Sequence, residues 1–177
     1  MKTLARAAFA GTAMTAAVVL GMGTASAAVT IGAAGSAADG IPTVANQVCG
    51  TAYVGTPVHV GAPPATAKAV GGVTITGQLY DVFNNPVSGG SMTTTTAANG
   101  TWCMTGTSSM PAVVTFGGYV VMGTDTPTVS DGGVTKTGAW SGAGDDANLD
   151  AGDFYDHGYA SPSISADRAY RVHFVYS

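Results

Sequence analysis

The sequence predicts an all-β fold, a single antiparallel β-sandwich of the Ig-like or prealbumin-like kind with about eight short strands, and three observations predict it. All ten acids are Asp and none is Glu, while Gly reaches 26 of 177 residues; Glu favours helices and Gly and Asp do not, so composition alone disfavours a helix bundle. Apolar residues recur with a period of two, and no segment longer than about eight residues carries a helical period. Gly, Asn and Pro punctuate these runs at intervals that suit an antiparallel sandwich or barrel.

Residues 1–27 read as a secretory leader. Lys2 and Arg6 form a positive start, Ala7 to Met22 is apolar and uncharged, and Ala25-Ser26-Ala27 is a small-x-small cleavage motif. A spanning helix needs about 20 apolar residues, whereas this stretch is broken by Gly11 and Thr12. A lipid anchor would need a Cys directly after the cleavage point, and the first is Cys49. The expectation is an exported protein, extracellular or associated with the cell surface, with no transmembrane segment in the mature chain. Loss of Lys2 and Arg6 leaves four basic residues against ten Asp, a net charge of −6. That balance provides no footprint for nucleic acid.

Residues 28–43 lack alternation and aromatic anchors and read as a flexible or weakly paired N-terminal arm, with the β domain at 44–177. Strands are expected within Val44–Val54 and Pro57–Val60. Val73, Ile75, Gly77 and Leu79 then alternate with Thr74, Thr76, Gln78 and Tyr80, the mark of a half-buried strand. Asn84-Asn85-Pro86 breaks it, because Asn tolerates left-handed torsions and Pro removes a donor. A Thr-rich strand follows at Ser91–Thr96, and Asn99-Gly100 reverses the chain into Thr101–Thr107. That return strand places Trp102 and Met104 on one face and Cys103 on the other. Ala112–Phe116 and Tyr119–Met122 are two further β-rich runs, and Asp131-Gly132-Gly133 turns the chain into Val134–Trp140. In Ala169–Ser177, Tyr170, Val172, Phe174 and Tyr176 share one face and Arg171, His173 and Val175 the other, which leaves His173 as a surface or cross-strand residue.

Cys49 and Cys103 are the two cysteines, 54 residues apart. In an oxidising compartment an even count argues for a disulfide, and two cysteines allow one intramolecular pairing. Closing a loop of that length stabilises the fold by about 4 kcal/mol in the chain-entropy account.

One segment departs from strand grammar: residues 141–161, with five of the ten Asp in 21 residues. A loop of that length in a compact domain is functional or disordered. Asp146, Asn148 and Asp150 have the D-x-N-x-D spacing of the front half of a calcium loop, and Asp153 can add a closing carboxylate, since Ca²⁺ gathers 6–8 oxygens. Ala151 and His157 stand where that loop wants Gly and a bidentate Glu. Two readings stay open: a Ca²⁺ site formed by Asp146, Asn148, Asp150 and Asp153, or a solvated acidic loop. Tyr155, His157 and Tyr159 are the candidate ligand-binding residues, because aromatic rings beside carboxylates can bind sugars or anchor a protein.

The stretch Val73–Met104 resembles the prealbumin-like sandwich repeats of carboxypeptidase regulatory-like domains and Cna-B-type surface modules. The resemblance rests on Gly77-Gln78-Leu79-Tyr80-Asp81, Pro86-Val87-Ser88-Gly89-Gly90, Thr93–Thr96 and Asn99-Gly100-Thr101-Trp102, and covers 32 residues. It implies a domain that supports or adheres. It lends no catalytic residue: the Tyr-Arg-Gly-Ser ending of the transthyretin-like hydrolases is replaced by His173-Phe174-Val175-Tyr176-Ser177. No Lys and Asn are placed for the isopeptide crosslinks of some Cna-B modules, with Lys68 in a Pro/Ala-rich loop.

No G-x-S-x-G elbow, H-E-x-x-H pair or phosphate-cradling loop is present, and no catalytic residue is assigned. The expected function is a secreted, non-enzymatic module with a structural or adhesion role, its partner a protein or glycan at the cell surface. The alternatives are a soluble extracellular ligand-binding or inhibitor protein working through loop 141–161, and a small hydrolase with an unrecognised site.

Overall fold

The alternation at Val73–Tyr80 organises the smaller of two sheets. In the computed structural model, which describes residues 28–58, 61–141, 153–154, 168–169 and 172–177, β4 (Thr74–Tyr80) buries Ile75, Gly77 and Leu79 and turns Thr74, Thr76, Gln78 and Tyr80 outward. It lies between β5 (Pro86–Thr95) and β7 (Tyr119–Thr124), and β10 (Asp153–Phe154) pairs with the far side of β7. The turn after β4 uses Asn84 at φ 64°, the left-handed torsion Asn accepts. Asp81 fastens the turn by accepting from the Phe83 and Asn85 amides at 2.9 and 2.8 Å.

The larger sheet is built around β2 (Gln47–Val54), seven of whose eight residues are buried. Its burial follows from pairing on both edges at both ends. Its first half pairs antiparallel with β6 (Thr101–Thr105) and parallel with β11 (Arg168–Ala169). Its last residues pair antiparallel with β3 (Lys68–Gly71) and parallel with β12 (His173–Tyr176). β1 (Thr30–Ala34) flanks β3, while β9 (Val134–Ser141) flanks β12 and carries β8 (Thr128–Asp131) at the far edge. The β8–β9 hairpin turns on Gly132 and Gly133, φ 58° and 83°, the pair of positive torsions a two-residue turn requires.

One core cluster draws on both sheets. Ile75, Leu79, Met92, Val120 and Met122 meet Val48, Trp102, Met104, Phe174 and Tyr176. Trp140, Phe174 and Tyr176 add edge and tilted ring contacts at centroid distances of 4.8 and 5.0 Å, geometry that adds to area burial.

The all-β class is as expected, and five details differ from the sequence reading. The larger sheet is mixed, because the C-terminal strand inserts between β2 and β9 and runs parallel to β2. His173 is fully buried and so are its strand neighbours: Phe174 and Tyr176 face the shared core, and Val175 packs with Tyr53 and Ala67 in a second cluster on the other face. Alternation marked two faces correctly, yet both are covered. Met110–Thr115 forms a short helix, α1, where a strand was expected. Pro111 has the φ that a first helical turn needs, and Gly117 at φ 90° with the Gly118 amide donating to the Val113 carbonyl ends the helix in a Schellman turn. Pro57 and Val58 are not in a strand. The N-terminal arm contains β1, which pairs Thr30 with Gly71 and Ile31 with Val70. Its Thr-Ile-Gly-Ala-Ala sequence carries too little apolar contrast to alternate, so only tertiary pairing makes it a strand.

Cys49 and Cys103 face each other across β2 and β6 and are joined by a disulfide, with Cα atoms 4.1 Å apart. The Cys49 carbonyl accepts from the Val172 amide on the opposite side. The pair therefore occupies a non-hydrogen-bonded position of the β2–β6 ladder, where facing Cα atoms approach to about 4.5 Å.

Candidate functional site

The outward residues of the smaller sheet form a trough. β5, β4 and β7 curve around a volume of about 500 Å³ lined by Thr76, Gln78, Ser91, Thr93, Val121 and Gly123. The register explains the grouping: Gln78 faces Ser91 and Val121, and Thr76 faces Thr93 and Gly123. Two residues share a strand face when they are two apart, so one rung beyond Gln78 and Val121 come Tyr80 and Tyr119. Those rings stack at 5.5 Å with 12° between their planes. Tyr119 Oη donates to Asn84 Oδ1 at 2.8 Å, which ties the rings to the β4–β5 turn.

The polar atoms of the trough are partly committed. Gln78 Nε2 donates to the Leu79 and Val87 carbonyls at 2.9 and 3.3 Å, and its Oε1 accepts from Ser91 Oγ. Thr93 Oγ1 donates to the Ile75 carbonyl at 3.3 Å. Gln78, Ser91 and Thr93 are thus held in place, and each hydroxyl oxygen keeps acceptor capacity. Among the described residues that line it, none is charged. At the Thr74 end of the same sheet, Asp125 is partly desolvated, but hydrogen bonds from Thr126 Oγ1 and the Thr74 amide outweigh this and hold its carboxyl below the usual range.

A second concavity of about 240 Å³ opens between β7 and β9, against Trp140, Phe174, Met122 and Pro127. Gly138 is needed there: a Cβ on it would stand 2.3 Å from the Phe174 ring.

Buried polar groups elsewhere act as braces. His173 Nε2 donates to the Gly61 carbonyl at 2.8 Å and its ring meets Tyr53 edge-on at 5.6 Å. Ser141, opposite His173 in the ladder, donates instead to the Val58 carbonyl at 2.7 Å. Thr51 Oγ1 donates to the Ala38 carbonyl at 2.7 Å and accepts from the Gly40 amide at 3.1 Å. Burial raises the Tyr53 and Tyr176 pKa values, with the Asp125 charge adding to the effect on Tyr176. Lys68, expected in a loop, opens β3 and pairs with Asp131 at 2.8 Å.

Of the residues expected to bind Ca²⁺, Asp146, Asn148 and Asp150 lie outside the described residues; for Asp153 the backbone pairs with Val121 in β10. Tyr155, His157 and Tyr159 likewise lie outside them. Among the described residues no group of three His, Cys, Asp or Glu side chains comes together around a possible metal position, and no helix is long and apolar enough to cross a membrane. The trough residues were not singled out in the sequence, although the alternation that sends Ile75 and Leu79 inward also sends Thr76, Gln78 and Tyr80 outward. Their convergence depends on strand order and curvature, which alternation does not encode.

Comparison with family models, curated proteins and solved structures finds no match to this chain.

Proposed function

We propose that this protein is a secreted, non-enzymatic module with a structural or adhesive role at the cell envelope or outside the cell, its two sheets stacked as a prealbumin-like sandwich. The observation that carries this reading is how the polar and covalent chemistry of the fold is used. The disulfide ties β2 to β6; Ser141, Thr51 and His173 each bond a loop carbonyl; and the Lys68–Asp131 pair joins β3 to β8. These groups fasten one segment to another. The sandwich arrangement is favoured by a single core cluster that takes residues from both sheets, since two facing sheets share one buried layer. The leader-like residues 1–27 favour export, and the disulfide favours an oxidising compartment.

The test is fractionation of the producing cells, with N-terminal sequencing of the recovered protein. The expected result is a chain that starts at Ala28 and stays with the envelope fraction until washed off. A protein recovered from the cytoplasm with residues 1–27 intact overturns the proposal.

A further inference from the structure

We infer that the trough on the outer face of the smaller sheet binds a neutral glycan, with the Tyr80–Tyr119 stack as its aromatic end. This inference rests on the module reading above and names the ligand class of its contact face.

Four features select the class. The trough holds about 500 Å³ and none of its described lining residues is charged, so that lining provides no cation for an anionic polymer. Three of its side chains donate to other groups of the protein. Gln78 Nε2 is bound to two carbonyls, Ser91 Oγ to Gln78, and Thr93 Oγ1 to Ile75. The Ser91 and Thr93 hydroxyl oxygens keep acceptor capacity, which suits a ligand rich in O–H donors. Tyr80 and Tyr119, one rung away on the same face, provide flat apolar surface beside the Thr, Ser and Gln side chains. A sugar ring has that combination, hydroxyls at its rim and C–H groups on its faces. Because the side chains are already pinned, binding immobilises few rotamers. Finally, β5 ends the order of its sheet, with no described strand on its outer side. The trough is open along that edge, so an extended chain of several sugars can cross it, as a closed pocket would not allow.

The experiment is calorimetric titration of the protein as isolated from its own cells with neutral hexasaccharides of glucose, mannose and N-acetylglucosamine, and with hexagalacturonate as the charged counterpart. The expected result is binding of at least one neutral hexasaccharide and none of hexagalacturonate. Thr76→Val with Thr93→Val, which keeps β-branched shape at two exposed positions, should weaken that binding at least tenfold, while the melting temperature stays within a few degrees because one hydrogen bond is lost. The matched pair Thr128→Val with Thr137→Val, facing residues of the β8–β9 hairpin, should leave it within twofold. Absence of binding to every neutral hexasaccharide overturns the inference, as does binding that the Thr76/Thr93 variant leaves intact. Either failure in a protein that still fractionates with the envelope strikes the glycan assignment and leaves the module reading standing.

Discussion

Lys68 Nζ and Asp131 Oδ2 lie 2.8 Å apart, although Lys68 belongs to β3 and Asp131 to β8 at the far edge of the same sheet. Their contact records how far the larger sheet curls. Curvature brings the two strands together, and the ion pair then spans the gap.

The strength of that pair follows from its exposure. The Lys68 side chain is 37% accessible and Asp131 19%, so water and salt screen much of the attraction. A double-mutant cycle with Lys68→Met and Asp131→Asn should give a coupling of about 0.5 kcal/mol that vanishes in about 1 M salt. A coupling above about 3 kcal/mol would mean that sheet closure depends on the pair.

The disulfide has a larger expected effect. Cys49 and Cys103 close a 54-residue separation at a position where the ladder already holds the strands close. Reduction, or replacement of both by Ser, should lower stability by about 2–5 kcal/mol. Paired thermal melts with and without reductant check this; superimposable curves would show that the strand pairing alone suffices.

Gly50 is where β2 meets the C-terminal segment. A Cβ there would stand 1.4 Å from the Val172 carbonyl oxygen and 2.8 Å from the Trp102 ring. Backbone on one side and a core Trp on the other leave no room to relax, so Gly50→Ala should destabilise by more than about 3 kcal/mol. Chemical denaturation of this variant beside Gly61→Ala, whose Cβ would meet nothing within 4 Å, separates crowding from torsion. Gly61 has φ 138° and Gly50 is not among the positive-φ glycines, so a Gly50→Ala loss no larger than that of Gly61→Ala would show that the strands shift to accept the added Cβ.

Alkaline pH provides a different probe. Burial raises the Tyr176 pKa above its ordinary value of about 10, and Tyr176 Oη donates to the Thr126 carbonyl at 2.8 Å. The neutral phenol is favoured in the fold, so its contribution is fully present below about pH 10 and declines as pH rises further, where the unfolded chain ionises and the native one does not. Stability should fall above that pH by about 1.4 kcal/mol per pH unit for this group, with Tyr53, also raised by burial, adding to the slope. Tyr176→Phe should flatten the slope by that amount while losing the hydrogen bond at every pH. An unchanged slope would assign the alkaline sensitivity elsewhere.

How much of this was legible in the sequence depended on whether a feature is local. The β4 alternation, the left-handed Asn84 turn, the Gly132-Gly133 hairpin and the Trp102/Met104 face were all readable, because two-residue periodicity and turn torsions are properties of neighbours. The disulfide followed from a count of two. The parallel direction of β12, the burial of His173 and the strand at Thr30–Ala34 were not readable, since each depends on a partner far along the chain. Ala112–Phe116 misled for another reason: Val and Phe suggested a strand, while Pro111 and Gly117 set a helix start and stop around them. The trough was half legible, its outward residues visible and their convergence not.

The N-terminal segment gives the sharpest test of what tertiary pairing contributes. Residues 28–43 have no strand pattern, and on sequence alone their removal should shift the melting temperature by only a few degrees. Their structure argues otherwise. β1 covers the outer edge of β3, and Ile31 packs on the main core. The Gly40 amide and the Ala38 carbonyl both bond the buried Thr51 hydroxyl. Trimming to Val44 would leave that hydroxyl without either partner at the centre of β2, expose the β3 edge and uncover apolar surface. One stranded buried polar group alone costs about 1–3 kcal/mol. Lost strand pairing adds to it, and a domain of this size shifts roughly 2–4 °C per kcal/mol. The truncated chain should therefore melt more than about 10 °C lower, and Thr51→Val in the truncated background should recover part of the loss by removing the orphaned hydroxyl. A truncation that melts within a few degrees of the full chain would show that β1 lies against the fold without stabilising it.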